Sequence, residues 1–113
     1  MPPFPEALRT DANKVRGCVS QVWLASARRN GAGGAPYLEF QGDSDAHIVR
    51  GLIAVLFALV EGKTAGEILR ADAPSAFAEL GLKDHLTPQR SNGFFSMVER
   101  VRNDARAFSS AQA

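Results

Sequence analysis

The chain has 113 residues, 45% hydrophobic and 22% charged, and its 13 basic and 12 acidic side chains leave a formal charge of +1. That is the profile of one soluble domain, long enough to bury a single core without disulfide or metal staples. The charge balance argues against an electrostatic nucleic-acid binder, and the longest apolar run, Leu52 to Val60, is under half of the roughly 20 residues that span a bilayer.

In chain order, residues 1–13 carry three prolines and scattered charges and read as an extended arm leading inward. The N-terminus lacks the basic start and apolar stretch of a signal peptide, and a reducing cytoplasm is the expected compartment. Residues 14–18 form a short approach with some strand character. Ser20 to Ala27, rich in Val, Trp and Leu, reads as a strand. Asn30 to Gly34 supplies a glycine-rich turn, and Tyr37 to Gln41 alternates apolar and polar as a half-buried return strand.

The remainder reads as helical. Asp43, Ser44 and Asp45 offer capping oxygens to a helix from about Ala46 to Val60, apolar almost all round and hence central. Thr64 and Glu67 form a capping box for a short helix ending near Arg70. Asp72-Ala-Pro-Ser starts another, with Phe77 and Leu80 inward and Gly81 as its stop. Thr87-Pro88 opens the last helix, whose stripe of Phe94, Val98, Val101, Ala105 and Phe108 packs on a core. Strands first and helices afterwards give an α+β layer fold.

Cys18 is the sole cysteine, so no internal disulfide can form. With only His47 and His85 beside it, a zinc or iron–sulfur site held within the chain has little support. A free cysteine is often an inert buried hydrophobe, and that reading competes with a functional one. The functional reading rests on the loop-to-strand junction after Gly17 and on Lys14 and Arg16, cations whose proximity would favour the thiolate. Neither histidine sits in a motif that would make it a base, and no C-x-x-C is present. Single-thiol carrier chemistry, above all with sulfane sulfur, is what a lone reactive thiol can support. Its apolar resting place would draw on Trp23, Phe40 or the last helix.

Three blocks then carry a resemblance: Gly17-Cys18-Val19-Ser20-Gln21-Val22-Trp23-Leu24, Gly42-Asp43-Ser44-Asp45-Ala46-His47-Ile48-Val49-Arg50-Gly51-Leu52, and Leu86-Thr87-Pro88-Gln89-Arg90-Ser91-Asn92-Gly93. In this order and spacing they resemble the SufE family of cysteine desulfuration proteins over nearly the whole chain. The resemblance implies an α+β fold with a small antiparallel sheet against several helices, shared with IscU-type scaffolds. It implies that Cys18 accepts persulfide sulfur from a PLP-dependent cysteine desulfurase of the SufS/CsdA type, stimulates that enzyme, and feeds an iron–sulfur scaffold. The chain is then a sulfur carrier and not a stand-alone enzyme. It needs no cofactor of its own, because the PLP belongs to the partner, and it holds no metal. A homodimer is compatible with this reading; nucleic acid and membrane are not expected partners.

Asp45 and Arg90 match family positions that imply loop positioning or desulfurase docking. Helix capping for Asp45 and a plain first-turn surface role for Arg90 are the competing readings, and Trp23 and Gln21 read equally well as sheet residues. The alternatives for the whole protein are an IscU-type cluster scaffold and a regulatory adaptor that activates the desulfurase by docking alone. Val19, Arg16, Phe94 and Phe95 depart from the usual family residues. The chain 1–113 reads as one SufE-like domain lacking the helical element that family members carry before the stretch matching Pro5-Glu6.

Overall fold

The computed structural model describes residues 3–18, 20–30, 36–82, 84 and 86–112. Val19, His85 and the glycine turn at 31–35 lie outside the described residues. The architecture is α+β: an antiparallel hairpin of β1 (Val22–Asn30) and β2 (Pro36–Ser44), followed by helices α1 (His47–Val60), α2 (Ala65–Arg70), α3 (Ala73–Glu79) and α4 (Pro88–Gln112).

The hairpin pairs in one register from Val22 opposite Ser44 to Asn30 opposite Pro36. Side chains two apart share a face of a strand, so Val22, Leu24, Ser26 and Arg28 line one face with Leu38 opposite Arg28. Val22, Leu24 and Leu38 are buried there, while Ser26 and Arg28 are exposed toward the far end of β1. Both strands run longer than their apolar alternation implies, because backbone pairing continues past the last core-facing residue. The buried faces of the hairpin and of the helices meet in one cluster that includes Leu24, Ile53, Leu56, Ile68, Phe77 and Phe94. Phe77 and Phe94 sit at its centre, ring centroids 4.5 Å apart.

Helix boundaries follow their local signals. Thr64 and Glu67 form the expected capping box, Asp72 caps α3 through the Ser75 N–H, and Gly81, at φ +74°, lies just beyond the end of α3. Two expectations are corrected. Leu80 points outward, 59% exposed, because α3 ends at Glu79 before a further inward position is reached. Helix α1 begins after Ala46, which makes no side-chain cap. The Ser44 hydroxyl instead accepts from the Ala46 N–H, and both neighbouring aspartates are engaged elsewhere. The all-round apolar character of α1 is also only partly used, since Ile48 stays 40% exposed.

The N-terminal arm is not simply extended. It forms single 3-10 turns at Glu6–Leu8 and Asp11–Asn13, and Phe4 is buried. Two arginines fasten it. Arg9 donates to Asp43 Oδ2 at 2.6 Å and to Glu6 Oε1 at 2.7 Å, with its guanidinium over the rings of Phe4 and Trp23 at 5.3 and 5.0 Å. Arg100 of α4 donates to the Ala12 carbonyl and to Asn13 Oδ1, each at 3.0 Å. The partners Asp43, Trp23 and Arg100 are distant in sequence, which is why the arm reads as unstructured in isolation.

Candidate functional site

Cys18 lies in the segment between the arm and β1. The Val15 N–H donates to the Val22 carbonyl at 2.8 Å, and Lys14 bridges to Trp23. The segment that carries Cys18 is therefore a loop closed at its base. Gly17 adopts φ +87°, a conformation open to glycine and strained for other residues. This turns the next residue toward α4. A Cβ at Gly17 would also meet the Ser96 Oγ at 2.9 Å, so the loop lies flush on that helix.

The thiol is seated on Gly93. A Cβ built there would stand 2.9 Å from Cys18 Sγ. Beside the thiol is a recess of about 190 Å³, lined by Ile48, Val49 and Leu52 of α1 and by Arg90, Phe94 and Met97 of α4. Cys18 is half-buried and packs against the core cluster. Burial pushes its thiol above the ordinary value of 9.0, because desolvation disfavours the charged form. The expected activation by Lys14 and Arg16 does not appear: Arg16 is exposed and desolvation is the cause of the shift. At rest the thiol is neutral.

Asp45 is tied to the same loop. Its Oδ1 accepts from the Gln21 N–H at 3.0 Å, and its own N–H donates to the Gln21 carbonyl at 3.3 Å. The carboxylate that the capping pattern assigns to α1 thus pins the end of the cysteine loop. Arg90 lies in the first turn of α4 and lines the recess that Cys18 borders. The structure therefore gathers Cys18, Asp45 and Arg90 around one loop. The thiol's resting place comes from the last helix and α1, not from Trp23 or Phe40. Trp23 lies under Arg9, and Phe40 stacks on Phe57 at 5.7 Å.

A larger cleft of about 420 Å³ runs along β2 and the second half of α1, lined by Tyr37, Phe40, Phe57 and Glu61 among others. Among the described residues no thiol or imidazole lines it, so size alone does not make it the reactive site. Among the described residues, no three His, Cys, Asp or Glu side chains come together to hold a metal ion, and no helix is long and apolar enough to cross a membrane. Sequence reasoning missed Gly93 and Ser96 as partners of the loop. A glycine inside an otherwise regular helix was the available signal.

The α+β domain thus presents its one cysteine on a closed loop beside an apolar recess. A family model described as "SufE: Fe-S metabolism associated domain" matches residues 1–105. An uncharacterized SufE-like protein of Rhizobium meliloti (strain 1021) is 50% identical over 105 residues, covering 93% of this chain and 74% of that protein. An uncharacterized SufE-like protein of Rhizobium etli is 48% identical over 111 residues, 98% of this chain and 74% of its own length. The chain belongs to the SufE family. Its role is accordingly one of sulfur transfer related to iron–sulfur metabolism.

Proposed function

We propose that this protein is a sulfur acceptor for a PLP-dependent cysteine desulfurase of the SufS/CsdA type, with Cys18 as the carrier. The Cys18 thiolate attacks the terminal sulfur of the persulfide on the desulfurase. A bond forms between Cys18 Sγ and that sulfur, the donor's sulfur–sulfur bond breaks, and the donor departs as a thiolate that takes up a proton. Sulfane sulfur moves without net oxidation or reduction. Removing it frees the desulfurase for another turnover, which is how the carrier stimulates its partner. The PLP stays with the desulfurase, and the carried sulfur goes on to an iron–sulfur scaffold in the cytoplasm.

The observation that supports this most is the placement of Cys18: on a closed loop, half-buried, beside an apolar recess. A thiol so placed is shielded from solvent reductants, yet only one short loop must move to expose it. A neutral thiol is a weak nucleophile, so transfer requires the loop to swing outward when the partner docks. Asp45 sets the loop's far end, and the Arg90 guanidinium supplies positive charge for a persulfide anion or for docking. One cysteine in the chain favours carriage over the scaffold alternative, because holding a cluster takes several thiolates.

The test is incubation with a cysteine desulfurase and cysteine, followed by intact mass measurement. The expected gain is the mass of one sulfur atom on Cys18, absent in Cys18→Ser, which also loses stimulation. Stimulation by Cys18→Ser equal to wild type overturns the carrier mechanism and leaves docking alone as the means of activation.

A further inference from the structure

Gly93 stands inside α4, where alanine would favour the helix by about 1 kcal/mol. Its position is buried. A Cβ added there would lie 2.9 Å from Cys18 Sγ, 3.3 Å from Cys18 Cβ and 3.4 Å from Cys18 Cα. The thiol tip can rotate aside and the Cα approach is ordinary packing, but Cβ at 3.3 Å must give by a few tenths of an ångström, and it moves only with the loop. The loop has few ways to yield in place. Its base is closed by the Val15–Val22 hydrogen bond, its far end is held by Asp45, and Gly17 already abuts Ser96.

We propose that Gly93 is a positioning residue: its missing side chain is the seat of the cysteine loop and sets the balance between Cys18 lodged against α4 and Cys18 turned outward. The functional consequence rests on the reading of Cys18 as a sulfur acceptor. The seat itself is a property of the thiol and can be measured without any partner. A methyl group at this position raises the energy of the lodged state and leaves the outward state untouched, so the outward population grows by the corresponding factor.

The experiment compares Cys18 alkylation by iodoacetamide in the full chain, in Gly93→Ala and in Gly51→Ala. Gly51 is an exposed glycine in α1, and a Cβ added there would have nothing within 4 Å. Gly51→Ala therefore makes the same helix-favouring change without touching the loop. Gly93→Ala, which crowds only the lodged state, is expected to react about tenfold faster than wild type, and Gly51→Ala within about twofold of it. The acceleration should persist unchanged in low urea, as local opening requires. Equal rates in Gly93→Ala and wild type overturn the proposal. So does a Gly93→Ala rate that climbs with urea along the global unfolding curve, since the exposure then comes from unfolding of the whole domain. Sulfur loading by a desulfurase separates the two readings. Faster alkylation of Gly93→Ala with no sulfur gained by any form upholds the seat and defeats the carrier. Sulfur gained by wild type with unchanged alkylation of Gly93→Ala defeats the seat alone.

Discussion

Gln21 and Asp45 hold each other by two hydrogen bonds, one from the Gln21 N–H to the carboxylate and one from the Asp45 N–H to the Gln21 carbonyl. The pair joins the end of the cysteine loop to the start of α1. Removing the carboxylate frees the loop end while the backbone bond remains. Asp45→Ala is expected to cost at most about 1 kcal/mol of stability, since the bond is exposed. It should also raise the rate of Cys18 alkylation. Asp45→Asn keeps an acceptor oxygen and should restore much of the slow rate. Parallel alkylation and urea unfolding of the three forms check this.

The Cys18 thiol is held above its ordinary value of 9.0 by burial. Its alkylation at neutral pH should therefore be slower than that of a free cysteine, with a midpoint displaced to higher pH. The same shift links to stability. Below pH 9.0 the thiol is protonated in both folded and unfolded chains and burial carries no electrostatic penalty. As pH rises through and beyond 9.0 the unfolded chain loses its proton first, and the folded state is progressively disfavoured. Cys18→Ser should lack this alkaline loss, as denaturant unfolding across that range will show.

Asp43 behaves in the opposite sense. Burial draws its carboxyl upward. The hydrogen bonds from Arg9 and the Ser44 N–H, with the charges of Arg9 and Arg50, outweigh that pull and leave it below the ordinary 3.8. The stabilisation is fully present above the unfolded value and is lost as pH falls through the lower folded one. Asp43→Asn should be less stable than wild type at neutral pH. The gap should close as pH drops below 3.8, which unfolding curves in acid will measure.

Phe77 is fully buried and packed on Phe94. Phe77→Ala should destabilise the domain by about 3–5 kcal/mol, through lost transfer energy and the cavity left behind. Because Phe94 also lines the recess beside Cys18, its ring should relax into that cavity and alter the wall against which the thiol rests. A lowered urea midpoint together with a changed alkylation rate would register both effects.

What can be read from the residues divides along the range of the interactions. The hairpin, the capping box of Thr64 and Glu67, and the proline start of α4 depend on neighbours within a few positions, and each stands as expected. Asp45 is ambiguous in sequence because a capping pattern and a loop anchor look alike until the partner is known, and Gln21 lies on another element. Leu80 obeys an apolar spacing on a helix that stops too soon to use it. The arm and the thiol's resting place are hidden for the same reason. Arg9, Arg100 and Gly93 act on residues far along the chain, and nothing local to Cys18 names the glycine beneath it.

The contact between Arg9 and Trp23 has a practical consequence. Trp23 is the only tryptophan in the chain, and its indole lies beneath the guanidinium that ties the arm to β2. The protein thus contains a built-in optical gauge. Its intrinsic fluorescence reports whether the arm is docked beside the strand that leads out of the cysteine loop, so binding events near that strand can be followed in real time without attaching a dye.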